Sequence, residues 1–320
     1  MKEINTALVV GAGTMGHGFA QIFAMKNLHV ILVDRGEELL ERAHAWIERN
    51  LEYMLELGEI QREKLKLILD HIYFSTDLKA SAQQAEYVLE AVNEDLDLKK
   101  KIFQQLDEMT SSDIILATNT SSFDINEIAA VTQHPERVIG THWFHPPQIT
   151  PCVEIIPADA TSQENVDRTT EFMERLGKFP TTCKSRPGFV ANRIQLAMAG
   201  EALAIVDEGL ATPEEIDRIV KSSFGFRLGA YGPFEIMDQA GADTYRATYE
   251  YLYGKLKREQ FKPSPTLDKL IAQKRYGLKS QSGFYEYKDG AVEVIKRDRD
   301  RKFYARLRLF RDEQRREGEK

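Results

Sequence analysis

The sequence predicts an α/β fold, a doubly wound and mainly parallel sheet domain followed by an all-helical region. Three observations predict it. Short, predominantly apolar runs alternate with stretches of helical period as far as Cys183; the first of these runs stops on a glycine cluster; and from Ser185-Arg186-Pro187-Gly188 to about Ala272 no convincing strand appears.

The run Ile4 to Val10 is packed with Leu8, Val9 and Val10, as expected of a strand buried on both sides in a parallel sheet. Met15 to Met25 repeats apolar and small residues at helical spacing, and His29 to Val33 supplies the next strand, closing one βαβ unit. Glu37 to Leu57 and Gln61 to Leu69 read as a helical excursion before the sheet resumes at Ile72. Strands follow at Tyr87 to Val92, Ile114 to Thr118 and Arg137 to Phe144, separated by helices at Asp95 to Met109 and near Ile125 to Val131. Cys152 to Ile156, a helix near Gln163 to Leu176 and Phe179 to Cys183 complete the domain, placed at 1–185.

The remainder, 186–320, is expected to be helical. Phe189 to Asp207 forms its first helix and ends at Gly209, and Thr212-Pro213-Glu214-Glu215 carries the start signals of the next. Near the end, Arg297 to Arg315 sets Phe303, Leu307 and Phe310 on one stripe among charges, either leaning on its own domain or contacting a second subunit.

At 320 residues the chain is long enough for about two domains, and 42 % hydrophobic residues suffice for substantial cores. The net charge of −7 provides no general field for nucleic acid or anionic lipid. No apolar stretch is long enough to span a bilayer, and no signal-peptide pattern opens the chain. Two cysteines, Cys152 and Cys183, make no disulfide framework, so a cytoplasmic location is expected.

Gly11-Ala12-Gly13-Thr14-Met15-Gly16 fits G-x-G-x-x-G, and its place between a buried strand and a helix gives the match its weight. Gly11 permits the turn, Gly13 lets a pyrophosphate approach the backbone, and Gly16 allows close helix packing, with the anion at the helix N-terminus. Asp34 follows at the end of the second strand, where a carboxylate accepts from ribose hydroxyls; this favours NAD over NADP and makes the domain Rossmann-type. A bare glycine turn and FAD are the other readings of the motif.

Gly140-Thr141-His142-Trp143-Phe144-His145-Pro146-Pro147 follows a strand end, where ligands bind in open α/β sheets. His142 there suits a general base for removing a carbinol proton. Glu154, inside the apolar Val153-Glu154-Ile155-Ile156, needs a partner and could orient that imidazole. A satisfied core histidine remains open. So does a metal set of His142 with His145, Cys152 or Glu154, although Pro146-Pro147 interrupts any regular ligand face; no metal is expected.

With these residues in view the chain resembles the 3-hydroxyacyl-CoA dehydrogenase family. The resemblance rests on the glycine loop, Asn119-Thr120-Ser121-Ser122, the His142 to Pro147 segment, Val153-Glu154, Pro187 to Arg193, Gly232-Pro233-Phe234-Glu235 and Gly283-Phe284-Tyr285, in that order. It implies NAD as cofactor, oxidation of a short-chain L-3-hydroxyacyl-CoA to the 3-ketoacyl-CoA, and a helical domain forming a homodimer, with substrate in the cleft between domains. It further implies His142 as base, Glu154 as its orienting carboxylate, and Ser121 and Asn192 on the reacting oxygen. Glu94, Lys99 and Asn119 match positions near the cofactor. Read without the family, Ser121 and Asn192 could be local caps, and Glu94 and Lys99 a solvated helix face.

The chain departs from the family pattern in three places. His145 stands where the family usually has Asn. The excursion Glu37 to Leu69 is rich in Glu, with Arg42, Arg49 and Arg62 among its few cations, where a CoA phosphate wants several. A charged tail continues beyond Tyr287, as in relatives acting on free 3-hydroxy acids such as L-gulonate or carnitine, and a dehydrogenase of such an acid is the alternative expectation.

Overall fold

The computed structural model describes residues 3–288 and 290–318. The chain divides into two compact units, Met1–Ala199 and Gly200–Lys320.

The first unit runs β1 (Thr6–Val10), α1 (Gly16–Met25), β2 (His29–Val33), α2 (Glu37–Glu56), α3 (Arg62–Asp70), β3 (Ile72–Ser75), α4 (Leu78–Ala82), β4 (Tyr87–Glu90), α5 (Leu96–Met109), β5 (Ile115–Thr118), α6 (Ile125–Ala129), β6 (Val138–Trp143), β7 (Cys152–Pro157), α7 (Gln163–Arg175) and β8 (Phe179–Thr182). The eight strands lie in the order β3-β2-β1-β4-β5-β6-β7-β8. This is the doubly wound sheet expected, with strand order reversing between β1 and β4. Strands β1 to β6 are mutually parallel, whereas β7 pairs antiparallel with β6 and parallel with β8. The central strands bury both faces: Val9, Leu32 and Leu89 belong to one core with Phe19, Phe23 and Ile47, and Leu8, Val88 and Leu116 to the other with Phe103 and Ile128. That two-sided burial is why consecutive residues such as Leu8 and Val9 or Val88 and Leu89 are both apolar rather than alternating with polar ones.

Among the described residues the short helix α4 has no counterpart in the sequence reading. Its Asp77 side chain accepts from the Ala80 amide, an N-cap that a five-residue helix gives little periodicity to reveal.

The unit boundary falls within α8 (Ala191–Asp207), and the second unit contains its C-terminal part, then α9 (Pro213–Ser222), α10 (Phe224–Leu228), α11 (Pro233–Ala240), α12 (Ala242–Leu256), α13 (Pro265–Ala272) and α14 (Ala291–Gly318). Thr212 and Glu215 form the capping box that the sequence announces for α9. The Gly283-Phe284-Tyr285 motif is organised by buried Asp238, whose carboxylate accepts from the Phe284 and Tyr285 amides and the Tyr287 hydroxyl at 2.9, 3.0 and 2.8 Å. A Cβ at Gly283 would lie 2.2 Å from Asp238 Oδ1, which accounts for glycine there. The tail helix α14 starts earlier than Arg297. Its Phe303 and Phe310 pack on Phe226, with ring centroids 5.8 and 6.4 Å apart, so the stripe leans on its own unit.

Compactness divides the chain within α8, later than the change of character at Ser185. The reason is local: Phe189 is buried in the sheet domain's core, and the residues after it are tied to that domain by hydrogen bonds.

Candidate active site

The glycine loop lies where strand order reverses. Gly11 has φ +106°, and a Cβ there would sit 2.7 Å from Ala91 O; at Gly16 a Cβ would fall 1.7 Å from Gly11 O. Both glycines are required by the backbone itself. Gly13 differs, because nothing lies within 4 Å of its Cβ position. The space beside it is open to a ligand. Helix α1 begins at the N-cap Met15 with no side-chain cap and no acidic residue in its first turn, leaving an electropositive end free for an anion. Asp34 closes β2 and accepts from the Ala12 amide at 2.7 Å through Oδ2. Gly11, Gly13, Asp34, Arg35, Arg42 and Asn93 are among the residues lining a cleft of about 540 Å³. These features fit a dinucleotide: a glycine cradle for the pyrophosphate and a carboxylate for the adenosine ribose.

A second polar cavity, about 450 Å³, opens at Thr14 and is lined by His17, Arg49, Asn50, His145 and Gln148, with the Trp46 ring on one side. His17 Nδ1 lies 2.9 Å from Gly13 O. Burial lowers the His17 pKa, the bond to Gly13 opposes that, and nearby His145 and Arg49 add to the lowering.

At the carboxyl ends of β4 and β5, two carboxylates share one ammonium, that of Lys99. Glu90 is wholly buried and accepts from Lys99 Nζ at 2.8 Å, Thr118 Oγ1 at 2.6 Å and the Val92 amide at 2.7 Å. Above it, Glu94 Oε1 accepts from Thr120 Oγ1, the Ser121 amide and Ser122 Oγ at 2.7, 2.9 and 2.9 Å, while Ser121 Oγ lies 3.2 Å away. Burial alone would raise the Glu94 pKa, but these donors and Lys99, 3.4 Å away, hold it below the ordinary glutamate value. Lys99 is only 1 % exposed, so it lies beneath the surface and reaches the site through the two glutamates. Asn119 Oδ1 accepts from the Trp143 amide at 3.0 Å, tying β5 to β6. Sequence reasoning missed Glu90. Its signal is a carboxylate closing the apolar strand Tyr87-Val88-Leu89, nine residues before Lys99.

The remaining pair lies across β6 and β7. His142 and Glu154 are register partners, and His142 Nδ1 is 2.7 Å from Glu154 Oε2 with both side chains buried. Because β7 runs against β6, its beginning lies at the same sheet edge as the end of β6. The other oxygen, Glu154 Oε1, accepts from the Val190 and Ala191 amides at 3.2 and 2.9 Å. Burial raises the Glu154 pKa, yet the bonds from His142 and these amides outweigh it and leave the group below its ordinary value. The next residue, Asn192, donates from Nδ2 to Ser121 O at 2.8 Å. His142, Glu154, Ser121 and Asn192 are therefore joined through one short segment, residues 190–192, with Glu94 attached through Ser121. Among the described residues no three His, Cys, Asp or Glu side chains gather as a metal would require.

Residues 6–186 match the NAD-binding domain of 3-hydroxyacyl-CoA dehydrogenases, and residues 188–287 match the C-terminal domain of the same enzymes. The chain belongs to the 3-hydroxyacyl-CoA dehydrogenase family. It is an oxidoreductase that acts on a CH–OH group with NAD. It is 38 % identical over 279 residues to a probable 3-hydroxybutyryl-CoA dehydrogenase of Deinococcus radiodurans, covering 87 % of this chain and 99 % of the other. To the mitochondrial hydroxyacyl-coenzyme A dehydrogenase of Rattus norvegicus it is 35 % identical, covering 89 % and 92 % of the two chains. The crystal structure of a 3-hydroxyacyl-CoA dehydrogenase from Archaeoglobus fulgidus superposes with a TM-score of 0.79 at 31 % identity, over 96 % of this chain and 99 % of that one. The family's matched region ends at residue 287, so the charged helix α14 lies outside it. No helix among the described residues is long and apolar enough to cross a membrane.

Proposed function

We propose that this 3-hydroxyacyl-CoA dehydrogenase oxidises short-chain L-3-hydroxyacyl-CoA, such as 3-hydroxybutyryl-CoA, to the 3-ketoacyl-CoA, with His142 as general base. The observation that carries the assignment is the buried His142–Glu154 pair. Glu154 engages Nδ1, which fixes the proton on that nitrogen and leaves the Nε2 lone pair to take the substrate's hydroxyl proton. As the imidazole becomes a cation the facing carboxylate stabilises it. Bound NAD supplies the acceptor for the hydride leaving C3, so the C–O bond becomes a carbonyl as O–H and C–H break.

Ser121 and Asn192 hold the reacting oxygen. Gly11, Gly13, Thr14, Met15, Gly16 and Asp34 hold the dinucleotide. Glu94, fixed by Thr120, Ser121, Ser122 and Lys99, and Asn119 would lie near the nicotinamide end of the bound cofactor. The cavity bearing Arg49, His17 and His145 supports an anionic substrate arm.

One observation favours a second reading, a free 3-hydroxy acid as substrate. The first turn of α2 carries Glu37 and Glu38, and Arg42 is drawn over the Trp46 ring, 5.1 Å from its centroid. Parallel assays of acetoacetyl-CoA reduction and of L-gulonate and carnitine oxidation separate the two. Turnover at least about tenfold higher with the CoA substrate is expected, a margin that differential binding readily supplies; preference for a free acid overturns the CoA assignment.

The protein is further proposed to act in the cytoplasm as a homodimer through its helical region. Helix α8 buries none of its residues in the single chain, and Ile194, Leu196 and Leu203 are exposed there. Size-exclusion chromatography with light scattering should give twice the 36.6 kDa chain mass.

A further inference from the structure

Between the two halves of the His142–Glu154 pair the chain makes one excursion, residues 144–151, and that loop is held from below by a buried cation. Lys178, 9 % exposed, donates from Nζ to Pro147 O at 2.6 Å and to Thr150 O at 2.9 Å, and its ammonium lies 5.4 Å from the centroid of the Trp143 ring. No carboxylate appears among these partners. The charged group set against it is Lys26, a second cation at the end of α1. Burying an ammonium against two carbonyls and an indole is costly, and less expensive apolar residues would fill the same space. The loop it holds is also braced by Ile149 and Thr150 amides donating to Pro146 O, and by Pro147 lying against Gly18 of α1, where a Cβ would come 2.6 Å from Pro147 Cγ. His145, Pro146 and Gln148 of this loop form one wall of the polar cavity that begins at Thr14.

We infer that Lys178 is a positioning residue for the dehydrogenase reaction: its ammonium clasps the loop between the acid–base pair and thereby sets the wall of the substrate cavity. This rests on the reading of that cavity as the substrate's. The clasp needs the charge, because a neutral amine offers fewer donors and loses the attraction of both carbonyls and the ring. Burial, with Lys26 adding to it, lowers the Lys178 pKa, so the clasp releases at alkaline pH below the range of an ordinary lysine.

Two measurements test it. In Lys178→Met the KM for acetoacetyl-CoA should rise about tenfold while the dissociation constant for NADH stays within about twofold, since the dinucleotide cleft lies on other residues. The second does not depend on substrate. Trp46 and Trp143 are the two tryptophans, so Trp46→Phe leaves Trp143 as the sole indole reporter beside Lys178. Its emission should show an alkaline transition that is absent when Lys178→Arg, whose guanidinium does not titrate there, is added. An unchanged KM in Lys178→Met, or a Trp143 transition that persists with arginine, overturns the proposal. Failure of every acyl-CoA assay with the fluorescence transition intact overturns the substrate reading and leaves the clasp standing.

Discussion

His142 and Glu154 face each other across the antiparallel pair β6–β7, twelve residues apart in sequence, with 2.7 Å between Nδ1 and Oε2. Strand direction makes this possible. Were β7 parallel to β6, its first residues would lie at the opposite edge of the sheet, away from the glycine loop and the ends of β4 and β5.

Replacing His142 with Gln should lower turnover by roughly a hundredfold or more, the usual scale for a lost general base. NADH binding, measured by fluorescence titration, should be almost unchanged because the cleft at Gly13 and Asp34 is untouched. Turnover near that of the unaltered enzyme would remove His142 from the mechanism.

Glu154→Gln keeps the shape but removes the charge facing the imidazole and turns an NH2 either to Nδ1 or to the Val190 and Ala191 amides. We expect kcat to fall about tenfold to a thousandfold with little change in KM, because the charge matters most when the imidazole carries the proton. Steady-state kinetics with a KM rise and constant kcat would show instead that Glu154 serves substrate binding.

The three glycines of the loop separate folding from binding. Gly16→Ala drives a Cβ to 1.7 Å from Gly11 O and should destabilise the protein by about 3 kcal/mol or more in urea unfolding. Gly13→Ala meets open space, so the melting temperature should hold while NADH affinity falls. Equal effects of the two on stability would contradict the open cradle at Gly13.

Glu94 and Glu154 both have folded pKa values below the ordinary glutamate value of 4.5. A group depressed in this way stabilises the fold fully above its unfolded pKa, and that contribution disappears as pH falls through the folded value. Stability measured by denaturant unfolding should therefore decline below about pH 4.5, and the decline should be shallower in Glu94→Gln than in the parent protein. An identical pH slope in the variant would show that Glu94 is no better stabilised in the folded chain than in the unfolded one.

In the second unit, Asp238→Ala removes the acceptor for two amides and the Tyr287 hydroxyl while leaving the sheet domain intact. A loss of about 2 to 4 kcal/mol is expected in thermal or urea unfolding, the scale for stranding several part-buried donors of a charged acceptor. NADH binding is the control and should not change.

Much was legible in the chain because it is written locally. The strands β1, β2 and β4 have to be apolar on both faces, the loop between β1 and α1 has to be glycine at Gly11 and Gly16, and Thr212-Pro213-Glu214-Glu215 caps a helix wherever it occurs. The less local relationships were hidden. Glu90 could be seen as a lone carboxylate but not as the anchor of Lys99, which folding moves beneath the surface. Nothing in Phe189 to Asn192 alone says that two amides will meet Glu154 and the next side chain will meet Ser121.

The sequence by itself determined the alternation of strand and helix, the glycine loop with Asp34, and the membership of His142 and Glu154 in apolar strands, because burial and backbone conformation act on each residue where it stands. Only the tertiary structure decided the reversal of β7, the register that pairs His142 with Glu154, the join of Asn192 to Ser121 and the clasp of Lys178 on Pro147 and Thr150. Those depend on which strand edges meet and in which direction, a choice made by packing both faces of the sheet at once.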